Sequence, residues 1–191
     1  MNLDIENLPE ALVDTATAGW EAILERADDD LAARLIAERS GEAAGQLARM
    51  LACSPFVAGL CRRKPELLLE LLSSGMLHRS LEADEIRAGL QEVLAEDGAE
   101  LDVALRLHRQ RHMLRIVWRD FCRLADTMET VHDTSLLAEA CIAEALDYHQ
   151  QALERRFGVP RGRISGERQQ LIVLAMGKLG ARELNVSSDI D

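Results

Sequence analysis

The chain has 191 residues, of which 48% are apolar but only 3% aromatic, so its core must be built mainly from Leu, Ala, Val and Ile, a composition that favours helices. A net charge of −11 repels a phosphate backbone and argues against nucleic-acid binding. The four cysteines lack the paired spacing of zinc or redox motifs, no apolar run could cross a bilayer and no basic leader is present, so we expect a cytoplasmic protein without a membrane partner.

Most of the chain has apolar residues at helical spacing, interrupted by helix start and stop signals. Pro9 suits the first turn of a helix, and the acidic triplet at residues 28–30 can open the next one. Ser54-Pro55 and Lys64-Pro65 each begin a further short helix. These signals predict a helical N-terminal domain over residues 1–157, without strands.

Two longer helices are predicted at the end of this domain, from about Ala99 to Ala125 and from Ser135 to Phe157. Gly158 stands where a helix C-terminus favours glycine, and a proline follows shortly after it. Residues 158–169 are rich in glycine and arginine and have no apolar period, which is typical of a linker.

A different pattern begins at residue 170. The run Leu171–Ala175 is continuous, apolar and partly β-branched, and a glycine-containing turn follows it, which favours a buried strand. The overall prediction is a mainly α protein whose residues 170–191 begin a second, α+β domain that is truncated at Asp191.

The last residues contain an Asp-x-Asp pair, Asp189 and Asp191. On a strand, residues i and i+2 point to the same face, so both carboxylates could hold Mg²⁺, which prefers oxygen ligands. Two metal ions bound in this way can align the attacking and leaving oxygens of a phosphoryl group. We therefore predict that Asp189 and Asp191 are catalytic metal ligands.

The residues before this pair are suited to binding phosphate. A turn from Gly177 to Gly180 can bring backbone N–H groups close to phosphate oxygens, and Lys178 could add a positive charge. Ser187 and Ser188 can donate hydroxyl hydrogen bonds to the same anion. Together these residues predict a nucleotide-binding site, although an isolated Asp-x-Asp also occurs at solvated strand ends and helix caps.

This stretch closely resembles the catalytic signature of the glutamine synthetase adenylyltransferase family. The segments that carry the resemblance are Gly177–Gly180, Arg182–Asn185 and Ser187–Asp191. Upstream stretches that are also similar to the family are Ser54–Val57, Lys64–Leu68 and Arg111–Asp120. The similarity therefore covers roughly residues 54–191.

The resemblance implies a fold and an activity. Members of the family carry two nucleotidyltransferase domains of the DNA polymerase β type. The first removes AMP from a tyrosine of glutamine synthetase by phosphorolysis, which yields ADP, and the second adds AMP from ATP. The position of the signature near residue 180 matches the first domain. The implied magnesium ligands are Asp189 and Asp191, and Gly177, Gly180 and Ser188 would line the phosphate site.

The implied partners are glutamine synthetase as protein substrate, ATP or ADP, phosphate, and PII-type signal proteins as regulators. Two residues depart from the family pattern: Ala181 replaces a usual glycine, and His112 stands where Glu is frequent. A third metal-binding carboxylate lies on a later strand of this fold, so we expect the chain as given to be inactive alone. Two alternatives remain, a non-catalytic helical interaction module and a nucleotidyltransferase with another substrate.

A stripe of basic residues follows one side of the helix predicted from Ala99 to Ala125. Its members are His108, His112, Arg115, Arg119 and Arg123. The stripe could face the adenylyl phosphate or a partner protein, but solvated or salt-bridged faces show the same pattern. The two histidines have the spacing of a metal pair without the glutamate of a zinc protease motif.

Overall fold

The computed structural model describes residues 3–6, 8–39, 42–95, 99–188 and 190. Within these ranges the chain forms nine α-helices, and a short 3₁₀ helix covers Met76–His78. The α-helices are α1 (Glu10–Leu24), α2 (Asp29–Glu38), α3 (Glu42–Cys53), α4 (Pro55–Arg63), α5 (Pro65–Ser73), α6 (Ala83–Ala95), α7 (Leu101–Phe121), α8 (Thr127–Phe157) and α9 (Gly177–Gly180). None of them is long and apolar enough to cross a membrane.

Local capping residues begin two of these helices as predicted. The Asp28 carboxylate accepts a hydrogen bond from the Leu31 backbone N–H at 2.8 Å, and α2 begins at the next residue. The Ser54 hydroxyl accepts a hydrogen bond from the Val57 backbone N–H at 3.3 Å, and α4 begins at the residue after Ser54. Such caps satisfy backbone donors that have no partner inside the helix.

The C-terminus of α8 is also as predicted. Gly158 has φ +84°, a left-handed conformation that glycine adopts without a steric penalty, and its N–H donates to the Glu154 carbonyl at 2.9 Å. The start of α8 is not as predicted, because the helix begins at Thr127 rather than Ser135. The Ser135 hydroxyl donates to the Val131 carbonyl one turn earlier, so this side chain lies inside the helix and does not cap it.

The chain divides into two compact units. The first comprises Met1–Ser80 and Gln110–Thr127, where α1 packs against α3 and α4, and α2 packs against α5. Its fully buried side chains include Leu47, Met50, Leu60, Leu68 and Trp118. The Trp118 indole N–H donates to the Gln46 side-chain carbonyl at 2.9 Å, which satisfies the polar atom of this buried ring.

Buried side chains on α7 account for most of the predicted basic stripe. Arg115 and Arg119 are buried, and their guanidinium groups donate to backbone carbonyls of the 3₁₀ helix, including those of Met76 and Leu77. Neither arginine therefore lies on a solvated face. Each supplies hydrogen-bond donors to a tight turn whose carbonyls are not used in an α-helix. His108 and His112 are buried as well, whereas Arg123 is exposed.

The second unit comprises Leu81–Arg109 and Met128–Asp191. Arg87 on α6 donates to the Glu144 and Asp147 carboxylates on α8, and Glu144 is buried. The hydrogen bond to Glu144, with the charges of both carboxylates, raises the pKa of the Arg87 guanidinium. Gln91 donates to the same Glu144 oxygen, so one buried carboxylate joins two turns of α6 to α8.

The predicted strand at Leu171–Ala175 is not observed, and residues 3–6, 8–39, 42–95, 99–188 and 190 contain no β-strand. All five side chains of this run are exposed. A strand is stabilised by hydrogen bonds to a neighbouring strand, and the described part of the second unit offers no partner for this run.

Residues 158–169, predicted to be a linker, form a hairpin-like turn closed by an antiparallel bridge between Arg161 and Arg168. The Arg168 guanidinium also contacts both oxygens of the Glu154 carboxylate, at 2.9 and 3.1 Å. The predicted domain boundaries at residues 157 and 170 stay predictions.

Candidate functional site

The predicted phosphate-binding residues begin at the short helix α9. Gly177 has φ +58°, a left-handed conformation that favours glycine. Its carbonyl accepts from the Ala181 N–H at 3.0 Å, and the Lys178 carbonyl accepts from the Glu183 N–H at 2.7 Å. The segment is thus a single compact turn, as its two glycines indicated.

Gly180 is required by a close backbone approach. A Cβ atom at this position would lie 2.5 Å from the Ala175 carbonyl oxygen and 3.0 Å from its carbonyl carbon. These atoms belong to the backbone and cannot rotate away, so a larger residue would force the chain apart. Gly180 therefore determines how closely the α9 turn folds back on the preceding segment.

Ala181, which stands where the family resemblance predicts a glycine, has no conformational cost. Ala181 has φ −86° and ψ −6°, which any residue adopts. The left-handed conformation falls on the next residue, Arg182, with φ +56°. A glycine is therefore not needed at position 181, and the backbone strain lies at Arg182 instead.

The segment after α9 is attached to α8 by polar contacts. The Leu184 N–H donates to the Ser135 hydroxyl oxygen at 3.1 Å. The Arg182 guanidinium donates from Nε and from one terminal nitrogen to the two oxygens of Glu139, at 2.9 and 3.1 Å. Such a bidentate pair fixes the direction of both side chains as well as their distance.

Apolar contacts complete this attachment. Leu179 and Leu184 are buried against Ala138, and the partly buried Ile142 packs on the same cluster. Leu179 is the one buried side chain among residues 171–183, all of which are described, so it and Leu184 supply the buried apolar part of the attachment to α8.

Asn185 organises the two serines that were predicted to bind phosphate. Its side-chain oxygen accepts from the Ser187 N–H at 3.2 Å, from the Ser187 hydroxyl at 3.1 Å and from the Ser188 hydroxyl at 2.9 Å. An asparagine that accepts from the backbone two residues later forms a local turn. Both hydroxyl groups are directed to Asn185 in this structure.

Two of the predicted site residues line one open cavity of about 780 Å³. Lys178 and Ser188 contribute to its wall, and the remaining lining residues are Ile142, Val173, Leu174, Ala175, Met176, Leu179, Leu184 and Ile190. Gly177 and Gly180 lie in the α9 turn and Ser187 lies in the turn at Asn185, and none of these three lines this cavity. Asp189 and Asp191 lie outside the described residues, and the described ones contain no cluster of three metal-binding side chains.

Sequence reasoning did not identify Ser135 and Glu139 as neighbours of the signature segment. No local pattern marks them, because both lie inside a long helix far from residue 180 in sequence. Asn185 had a recognisable signal, since an asparagine shortly before two serines is typical of a side-chain turn.

Comparisons with known proteins agree with the signature. The family model described as glutamate-ammonia ligase adenylyltransferase matches residues 44–191. Relatives named bifunctional glutamine synthetase adenylyltransferase/adenylyl-removing enzyme include one from Thioalkalivibrio sulfidiphilus, 48% identical over 147 residues, which are 76% of this chain and 15% of the relative. The relative from Pseudomonas aeruginosa is 47% identical over 145 residues, 75% of this chain and 15% of its own length.

A relative of the same name from Shewanella woodyi is 34% identical over 192 residues, which cover 100% of this chain and 19% of that protein. The chain thus spans between 15% and 19% of the length of these relatives. The family model extends over most of the chain and includes the signature residues 177–191. The family predicted from the signature is therefore confirmed, and the chain belongs to the glutamate-ammonia ligase adenylyltransferase family.

Proposed function

We propose that this chain is the N-terminal part of a cytoplasmic enzyme that removes AMP from a tyrosine of glutamine synthetase. In this reaction phosphate attacks the adenylyl group and ADP is released. Residues from about 170 onward would begin the nucleotidyltransferase domain that carries out this half-reaction. The complete enzyme would also add AMP from ATP through a second domain, under the control of PII-type signal proteins.

The observation that carries this proposal is the signature from Gly177 to Asp191 within a family match that extends over residues 44–191. The relatives are named for both adding and removing the adenylyl group. The proposal assigns the signature to the first nucleotidyltransferase domain of the family and hence to the removing activity.

In this proposal, Asp189 and Asp191 hold Mg²⁺. Both are carboxylates separated by one residue, and oxygen donors of this kind suit a hard divalent cation. The bound cation would neutralise negative charge on the phosphoryl oxygens. Lys178 and Ser188, which share the cavity beside α9, would bind the phosphate or the nucleotide, with the Ser188 hydroxyl turning to it from Asn185, to which it donates at 2.9 Å in this structure.

The decisive experiment uses the complete enzyme with Asp189→Asn or Asp191→Asn. ADP release from adenylylated glutamine synthetase is measured with phosphate and Mg²⁺. Each change replaces an anionic ligand with a neutral amide, so adenylyl removal should fall more than about a hundredfold. ATP-dependent adenylylation should persist, because it depends on the second domain.

Asp14→Asn is the matched control, since Asp14 is an exposed aspartate on α1, and this variant should retain both activities. Loss of adenylylation with survival of removal would assign the domain to the other half-reaction. Full removal activity in both variants at positions 189 and 191 would overturn the assignment of the metal ligands.

A further inference from the structure

We propose that Ser135 and Glu139 on α8 are positioning residues that hold the segment Arg182–Asn185 in place and thereby orient the catalytic end of the signature. This inference rests on the proposed function. It concerns two residues of the helical region, outside the signature itself. Neither of them needs to touch the nucleotide for this role.

The Ser135 hydroxyl makes two hydrogen bonds that support each other. Its single proton is donated to the Val131 carbonyl at 2.8 Å, so the oxygen lone pairs remain available to accept from the Leu184 N–H at 3.1 Å. The bond to Val131 fixes the direction of the hydroxyl, and bonds in such a chain polarise one another. The Leu184 N–H is therefore held by a group whose orientation the helix sets.

Glu139 acts on the strained residue of the segment. Arg182 is not glycine and yet has φ +56°, a conformation that persists only where the surroundings enforce it. The Arg182 N–H donates to the Leu179 carbonyl at 3.0 Å, and the guanidinium is held at two points by Glu139. The Leu179 carbonyl thus holds the backbone of Arg182, and the Glu139 carboxylate holds its side chain.

The anchoring residues form one stripe on α8. Ala138 and Glu139 lie three and four residues after Ser135, and Ile142 lies four and three residues after them, so the four residues share one side of the helix. Ala138 and Ile142 pack against Leu179 and Leu184 beside the two polar contacts. A helix face of this kind is rigid, which makes it suitable for holding a site in place.

The segment so held leads directly to the predicted metal ligands. Asn185 follows the anchored Leu184 and precedes Asp189 by four residues in the sequence. A displacement of about 1 Å at a reacting group can cost up to a hundredfold in rate. The Arg182–Glu139 pair is 55% and 35% exposed, and so exposed an ion pair contributes little to unfolding free energy. Its loss should therefore affect turnover more than stability.

The test uses the complete enzyme with Glu139→Gln and with Ser135→Ala. The matched control for the first is Glu154→Gln, because Glu154 makes an equivalent bidentate contact with Arg168 elsewhere on α8. The control for the second is Thr134→Val, which removes a hydroxyl that donates to the carbonyl of Thr130 in its own helix. Adenylyl removal is measured as kcat and KM, and hydrogen–deuterium exchange is followed in peptides that cover residues 179–188.

We expect kcat to fall about three- to tenfold in Glu139→Gln and in Ser135→Ala, with KM for adenylylated glutamine synthetase unchanged. Exchange in residues 179–188 should become faster in both, and the two controls should match the wild type. Arg182→Gln is measured as well. Because Glu139 acts through Arg182, the double variant Glu139→Gln/Arg182→Gln should lose no more than the more affected of the single variants Glu139→Gln and Arg182→Gln.

Wild-type kcat together with wild-type exchange in both α8 variants would overturn the inference, and so would additive losses in the double variant. If the wild-type enzyme itself shows no adenylyl removal, the proposed function fails and the exchange measurement decides the inference alone. Faster exchange in Glu139→Gln and Ser135→Ala then supports the anchoring role, and unchanged exchange refutes it.

Discussion

Arg115 donates a hydrogen bond from its Nε to the backbone carbonyl of Met76 at 2.9 Å, although Arg115 is only 1% exposed. A second nitrogen of the same guanidinium donates to the Arg79 carbonyl. A buried cation of this kind is tolerated because its donors are satisfied, and the turn in return gains donors for its carbonyls. The contact between Arg115 and Met76 joins α7 to the 3₁₀ helix Met76–His78.

The first prediction concerns this contact. Arg115→Met should lower the free energy of unfolding by about 2 to 4 kcal/mol, because it removes charged hydrogen bonds and leaves backbone acceptors without these donors. Arg115→Lys should be nearly as harmful, since an ammonium group cannot reproduce the fork that reaches two carbonyls. Urea unfolding followed by circular dichroism measures both changes.

Arg106→Met on the same helix is the control, because Arg106 is exposed. It should change the unfolding free energy by less than about 0.5 kcal/mol. Equal effects of the substitutions at positions 106 and 115 would show that the buried contacts of Arg115 do not contribute to stability.

The second prediction separates two adjacent residues of the signature. Gly180→Ala should impair adenylyl removal in the complete enzyme, because the added Cβ would lie 2.5 Å from the Ala175 carbonyl oxygen. Ala181→Gly, which introduces the glycine expected from the family resemblance, should leave activity within about twofold, since Ala181 already has an unstrained conformation. A large gain of activity in Ala181→Gly would contradict this interpretation of the turn.

The third prediction concerns the cysteines. Burial raises the pKa of the Cys61 thiol to about 12 and that of Cys141 to about 11, with the charge of Arg109 partly opposing the shift at Cys141. The thiolate is the reactive form, so iodoacetamide at about pH 8 should modify both slowly. Cys53 is exposed and should react first.

Mass spectrometry of peptides after timed labelling gives this order. Cys53→Ser should remove the fast phase, and labelling in denaturant should make Cys53, Cys61 and Cys141 equally reactive. Rapid labelling of Cys61 in the folded protein would show that its side chain is not buried in solution.

The fourth prediction concerns pH. Hydrogen bonds from Gln150 and then from Arg168, together with the charge of Arg168, hold the pKa of Glu154 below its ordinary value. A carboxylate with a lowered folded-state pKa stabilises the protein above its unfolded-state pKa, and this contribution is lost as pH falls through the folded-state value. The Arg168–Glu154 contact should therefore weaken only in acid, below the ordinary pKa of a glutamate.

Titration of the Glu154 carboxyl by NMR measures this directly. Arg168→Ala and Gln150→Ala should each move its midpoint to higher pH. Arg161→Ala is the control, since the Arg161 guanidinium donates to the Gly166 carbonyl and not to Glu154. The titration midpoint of Glu154 should not move in this variant. An unchanged midpoint in Arg168→Ala would show that the ion pair does not form in solution.

The sequence alone determined the features that depend on neighbouring residues. The caps at Asp28 and Ser54 and the glycine after α8 were predicted because each satisfies backbone groups within one turn of itself. The catalytic signature was recognised for a similar reason, since its residues are contiguous. The family followed from it before any contact was known.

Contacts between distant positions were decided only by the tertiary structure. Leu184 meets Ser135 across 49 positions, and Arg119 meets the 3₁₀ helix across 42, so no local pattern marks either pair. The run Leu171–Ala175 was predicted to be a strand from its composition, but composition cannot supply the neighbouring strand whose hydrogen bonds form a sheet. The basic residues on α7 have the same sequence spacing whether their side chains face water or buried carbonyls. Only the packing of the folded chain decides which of these environments they occupy.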